Sequence, residues 1–230
     1  MQPLPAESAA ATAPGLQAVL FDMDGLLVDT EPLWFEVECD IMARLGGHWS
    51  EADQQALVGG SLRRTVSYLL ARASQPASPH EVAGWLVGGM SRLLATRKVP
   101  LLPGAGELLA EVAAAGVPHA LVTSSERQIM DAVLARIGAS FRVTVCGDDV
   151  ARAKPDPEPY LLAAARLGAD PAQCVALEDS PNGVAAAEAA GCHLIAVPGL
   201  APIPALPGRV IAASLTEVDL GRLREMVRAG

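Results

Sequence analysis

Gln17-Ala-Val-Leu-Phe21 is a short apolar run that ends in an acidic turn, Asp22-Met-Asp24-Gly25. Consecutive apolar positions over so short a stretch read as a parallel strand buried on both faces. After Pro103-Gly104 the same texture returns in alternation. Glu107 to Ala115 is helical and Pro118 to Thr123 strand-like; Glu126 to Ile137 is helical and Phe141 to Cys146 strand-like. Pro157 to Leu167 is helical and Cys174 to Leu177 strand-like; Asn182 to Ala190 is helical and His193 to Val197 strand-like. Glu217 to Val227 closes with a helix. Strands alternating with helices of about ten residues predict an α/β fold, a Rossmann-like doubly wound parallel sheet.

Between the first strand and the rest, the pattern changes. From Pro32 to Leu102 helical spacing dominates and nothing reads as a buried strand. Gly46-Gly47, Gly59-Gly60 and the Pro76–Pro79 stretch divide the segment into three or four helices. The expected organisation is a flexible tail at 1–15, a catalytic core built from 16–31 and 103–230, and a helical-bundle cap inserted at 32–102. The proline-rich stretch Leu200 to Gly208 reads as a loop.

Composition narrows the class. Hydrophobic residues make up 51% of the 230 and charged residues 19%, which excludes disorder over most of the chain. The net charge of −9, without a Lys/Arg run, argues against nucleic acid or an anionic membrane as partner. The longest apolar region, Ala189 to Leu206, is broken by His193 and three prolines, so no membrane span is expected. The N-terminal segment has no basic region followed by a continuous apolar core. Cys39, Cys146, Cys174 and Cys192 are scattered and read as buried thiols of a reducing compartment. The expectation is a cytoplasmic monomer.

Polar groups collect at the predicted strand ends. The first strand delivers Asp22 and Asp24, the next Thr123-Ser124-Ser125, and a later one Glu178-Asp179-Ser180; a loop adds Lys154. In open α/β sheets ligands bind outside the carboxyl ends of the strands, so the topology brings these groups together. Each alone has a plainer reading, as a turn, a helix cap or a solvated lysine. Together, four carboxylates facing one lysine require a further cation, and oxygen ligands without Cys or His favour Mg²⁺. Thr123, Ser124 and Lys154 are suitable donors to a phosphate. One carboxylate can attack phosphorus and a second, two residues on, can exchange protons with the leaving oxygen. Gly25 allows the turn that separates the two.

At these residues the chain resembles the haloacid dehalogenase superfamily, in the subgroup of β-phosphoglucomutase and sugar-phosphate phosphatases. The motifs are Phe21-Asp22-Met-Asp24-Gly-Leu-Leu-Val-Asp29-Thr30-Glu31, Leu-Val-Thr123-Ser124-Ser125, Lys154-Pro-Asp-Pro-Glu-Pro-Tyr160 and Ala-Leu-Glu178-Asp179-Ser180-Pro-Asn-Gly183. The resemblance implies Asp22 as nucleophile and metal ligand, and Asp24 as general acid–base with its backbone carbonyl on the metal. It implies Thr123, Ser124 and Lys154 around the phosphate, and Asp179 with Glu178 around Mg²⁺.

Asp24 argues against dehalogenation, which needs no leaving-oxygen acid. The mutase places a His where this chain has Trp34, and an Arg where it has Leu62; Arg63 and Arg64 follow immediately. The reading is therefore a Mg²⁺-dependent phosphatase of small phosphorylated metabolites, chiefly sugar phosphates, acting through an aspartyl-phosphate. The alternatives are a β-phosphoglucomutase-type isomerase and a non-catalytic phosphate-ester-binding regulator. Of the cap aromatics Trp49, Tyr68 and Trp85 read as cap core, Trp34 as the substrate contact, and His48 as a lesser candidate.

Overall fold

A computed structural model describes residues 15–207 and 209–229. Residues 1–14 of the expected tail lie outside the described residues, as does Gly208 of the expected proline-rich loop. The elements run β1 (Ala18–Phe21), α1 (Glu31–Arg44), α2 (Glu51–Leu57), α3 (Leu62–Arg72), α4 (Pro79–Thr96), α5 (Ala105–Ala114), β2 (His119–Val122), α6 (Arg127–Ile137) and β3 (Val143–Val145). They continue α7 (Glu158–Leu167), β4 (Cys174–Glu178), α8 (Pro181–Ala189), β5 (His193–Ala196), β6 (Val210–Ile211) and α9 (Leu220–Ala229).

The six strands form one sheet in the order β3-β2-β1-β4-β5-β6, every pair parallel. β1 is fully buried between β2 and β4, with Leu20 opposite Ala120 on one side and Ala176 on the other. Alternate residues of β1 face opposite layers. Ala18 and Leu20 pack with α7 and α8 through Tyr160, Ala163, Val184 and Ala187. Val19 and Phe21 pack with α5, α6 and α9 through Leu108, Ile129, Val133 and Leu223. Covered on both faces, the strands carry continuous apolar runs, because neither side of the pleat meets water. The chain crosses to β2 on one side of β1 and returns to β4 on the other, so the strand order reverses beside β1.

Four helices, α1 to α4, fill the insertion, and α1 packs on α4. Trp49 is buried against Tyr68, ring centroids 5.7 Å apart and near-perpendicular. β6 had no signal beyond Val210-Ile211, too short a run to separate from loop. The stretch leading to it is anchored: Ala201 and Ile203 are buried, and the Arg209 guanidinium bridges both Glu188 carboxylate oxygens at 2.8 and 2.9 Å. Among the described residues no helix is long and apolar enough to cross a membrane.

Candidate active site

The carboxyl ends of β1, β2 and β4 lie side by side, and the chain turns sharply at each. After Phe21 the Asp22 N–H donates to Leu177 O at 3.1 Å, so β1 stays paired with β4 to the first acidic residue. Gly25 then takes φ +81°, a left-handed conformation that costs a side-chain-bearing residue about 1–2 kcal/mol. A Cβ there would also sit 2.2 Å from Asp179 Oδ2. Gly25→Ala is expected to lower unfolding stability by at least that strain, read as a drop in the urea midpoint. An unchanged midpoint would mean that Asp179 does not rest against this turn.

Asp22, Glu178 and Asp179 are buried, and one carboxylate oxygen from each lies within 4.8 Å of the others. A single cation enters this group. The Lys154 ammonium donates to Asp22 Oδ1 and Glu178 Oε1, both at 2.6 Å, and to Val122 O at 2.8 Å. Burial alone would lower the Lys154 pKa; Asp22 and Glu178 outweigh it and hold the ammonium above its ordinary value. Tyr160 donates to the same Glu178 oxygen at 2.5 Å, and Ser180 Oγ donates to Oε2 at 3.2 Å. Burial pushes Asp22 well above the usual carboxylate range, opposed by Lys154 and reinforced by Glu178 and Asp24. Burial followed by the charges of Asp22 and Glu178 does the same to Asp179.

One ammonium does not neutralise three carboxylates. Asp179 Oδ2 is buried without a hydrogen-bond partner, and an uncompensated buried anion costs several kcal/mol. An orphaned oxygen within an all-oxygen donor set lacking Cys and His fits a hard divalent cation. These residues can therefore hold a metal ion.

The Asp24 carboxylate lies outside this group and is held by hydroxyls. Thr30 donates to Oδ1 at 2.6 Å; Thr123 and Ser125 donate to Oδ2 at 3.1 and 2.8 Å. Thr30 is the residue preceding α1, yet its hydroxyl does not cap the helix, because it is committed to Asp24. The Trp34 indole N–H reaches Asp24 Oδ1 at 3.5 Å.

Asp22, Asp24, Trp34, Thr123 and Ser124 line one cleft between core and cap. Lys154 does not line it; its ammonium stands behind Asp22, donating to Oδ1. The cap reaches the core at Val58–Gly60. Ser124 Oγ donates to Gly59 O at 3.5 Å, and Asn182 Nδ2 donates to Val58 O at 3.0 Å. A Cβ on Gly59 would meet Ser180 Oγ at 2.2 Å, so only glycine permits this approach. Leu62 lines the cavity, while Arg63 and Arg64 line a separate open groove with Arg152 and Lys154. His48 is exposed and away from the cavity.

Several residues about the site were not singled out from the sequence. Ser125 and Tyr160 lie inside quoted motifs, and their partners are visible only in three dimensions. Glu31 and Glu38 do carry a signal, since they stand three residues before and four residues after Trp34, the substrate contact expected from the sequence, on one face of α1. Gln54, from another helix, carries none.

A family model described as haloacid dehalogenase-like hydrolase matches residues 16–191. Hexitol phosphatase B of Escherichia coli (strain K12) is 36% identical over 214 residues, 91% of this chain and 93% of that protein. Protein CbbY of Rhodobacter capsulatus is 34% identical over 195 residues, 80% of this chain and 86% of that protein. The crystal structure of CbbY from Rhodobacter sphaeroides in complex with phosphate aligns with a TM-score of 0.83 at 30% identity, covering 90% of this chain and 99% of that one.

Proposed function

The chain belongs to the haloacid dehalogenase-like hydrolase family, and from that premise we propose that it is a Mg²⁺-dependent phosphatase of sugar phosphates working through an aspartyl-phosphate. The similarity to a hexitol phosphatase supports a phosphoric monoester hydrolase acting on sugar-derived esters. The observation that carries the chemistry is the pairing of two differently held carboxylates at one cavity. Asp22 is bound to Lys154, and Asp24 is bound to hydroxyls.

The ester phosphate enters between Asp22, Thr123, Ser124 and Lys154. An Asp22 oxygen attacks phosphorus and the bond to the alcohol oxygen breaks. Asp24 gives that oxygen a proton as it leaves. Asp24 then takes a proton from water, which attacks phosphorus, frees inorganic phosphate and restores Asp22. Thr30, Thr123 and Ser125 aim Asp24 throughout, and the contacts at Val58–Gly60 keep bulk water from the bound ester. Asp22, Glu178 and Asp179, with the Asp24 backbone carbonyl, would hold Mg²⁺, which neutralises charge on the phosphoryl oxygens when bound.

The deciding experiment is phosphate release from a panel of hexose and hexitol phosphates and phosphoglycolate, in Mg²⁺ and in chelator. Metal-dependent release is expected, strongest for the sugar-derived esters. Folded protein that releases nothing would overturn the reading, and conversion of glucose 1-phosphate to the 6-phosphate would replace it with the mutase. Asp24→Asn is expected to lower kcat by about 10²–10⁴-fold on sugar phosphates. The loss should be smaller on p-nitrophenyl phosphate, whose leaving group needs no proton. Equal losses on both esters would remove Asp24 from the acid role.

A further inference from the structure

The cavity extends past the two aspartates along α1. Glu31, Trp34 and Glu38 face it in turn, with Gln54 and Thr65 from the neighbouring cap helices. Seven residues of helix carry Glu38 about 10 Å beyond Glu31. This far half sets Glu31, Glu38, Gln54 and Thr65 among Trp34, Leu57 and Leu62, yet holds no cation: among the described residues, neither Lys nor Arg lines the cavity. Arg64, the nearest in sequence to Thr65, is turned away onto Ala56 O at 2.8 Å and Asn182 Oδ1 at 3.3 Å.

Glu38 is 5% exposed, and its Oε2 is buried without a hydrogen-bond partner. The Trp49 indole N–H stands near enough to lower the Glu38 pKa, yet it too lacks a partner of normal geometry. A buried carboxyl oxygen left unsatisfied costs about 1–3 kcal/mol unless something donates to it, and the Trp49 indole, short of normal hydrogen-bond geometry, offsets only part of that cost. Gln54 is oriented differently. Its amide donates to Glu31 O at 2.8 Å and to Glu31 Oε2 at 3.1 Å, which fixes the Glu31 carboxylate at the cavity wall. Burial, then the neighbouring Glu31 charge, raises Glu38 to about 8. Near neutral pH it can therefore both donate and accept, as a hydroxyl does.

We propose that Glu38, with Glu31 and Gln54, reads the hydroxyl groups of a neutral polyol or sugar carried by a single phosphate, and that this half of the cavity rejects a second phosphate. The proposal rests on the phosphatase reading above and specifies its substrate class. A sugar hydroxyl donates to the orphaned Glu38 oxygen and removes its desolvation cost. A distal phosphate would shed its hydration against a wall that offers no guanidinium or ammonium to meet its charge.

The test compares kcat/KM on the full chain for three esters: the better of sorbitol 6-phosphate and glucose 6-phosphate, fructose 1,6-bisphosphate, and p-nitrophenyl phosphate. The wild type should prefer the monophosphate to the bisphosphate at least 100-fold. Glu38→Leu should reduce the ratio of sugar monophosphate to p-nitrophenyl phosphate at least tenfold, and Glu38→Gln, which keeps the shape and half the hydrogen bonding, by less. A ratio unchanged in both variants makes Glu38 a buried structural carboxyl and overturns the proposal, as does a wild type that accepts the bisphosphate equally. Failure to hydrolyse any of the three overturns the phosphatase reading and this proposal with it.

Discussion

Asp22→Asn is expected to lower kcat by on the order of 10⁴-fold or more while leaving a folded protein. The amide is nearly isosteric with the carboxylate but cannot form the bond to phosphorus that the proposed first step requires. The variant should also be more stable than the wild type in metal-free buffer. Asp22, Glu178 and Asp179 share one buried pocket with a single ammonium, and removing one negative charge relieves repulsion while Lys154 keeps Glu178. Phosphate release and urea unfolding, both measured on one preparation, check the pair of outcomes. Turnover retained near the wild-type rate would take the nucleophile role from Asp22. Lost turnover with lowered stability would instead point to a disrupted fold.

Lys154→Met is expected to produce the opposite stability change. The ammonium is the one cation within hydrogen-bond distance of Asp22 and Glu178 among the described residues, and its side chain is 1% exposed. Removing one partner of a buried charge pair strands the other charges, at a cost of about 3–5 kcal/mol. Mg²⁺ should restore part of that loss, because an ion that binds only the folded site stabilises by about 2.7 kcal/mol at 100 times its Kd. The Mg²⁺-induced rise in unfolding midpoint should therefore be larger in the variant than in the wild type. Turnover should fall by about 10²–10³-fold, the usual loss when one donor to a transition-state oxyanion is removed. Equal stability of variant and wild type without metal would mean that the three carboxylates are not ionised together and that the lysine does not compensate them.

The two variants report on one physical fact, a surplus of buried negative charge. The same surplus appears in the unpartnered Asp179 Oδ2, and it adds to burial, the larger cause, in raising Asp22 and Asp179 above the usual carboxylate range. It is the reason these residues can hold a metal ion, and the proposed phosphate site depends on that cation. Neither carboxylate oxygens nor phosphate oxygens tolerate such proximity without a cation between them.

The sequence by itself determined the alternation of β1 to β5 with the helices around them. It determined the helical insertion and the acidic and hydroxyl residues at three strand ends. These features are local: apolar runs, helical spacing, and turn residues next to each strand are written in adjacent positions. The placement of Asp22, Thr123 and Glu178 beside one another followed as well, because a parallel sheet aligns the carboxyl ends of its strands. Only the tertiary structure decided what those side chains touch. Ser125 on Asp24, Tyr160 on Glu178, Gln54 on Glu31, and the seating of Leu62 in the cavity with Arg63 and Arg64 outside it all join elements distant in sequence. Such contacts depend on how helices rotate and settle against one another, a matter of packing that no local periodicity encodes. The short β6 belongs with them, since two residues pair as a strand only when a neighbouring edge is already in place.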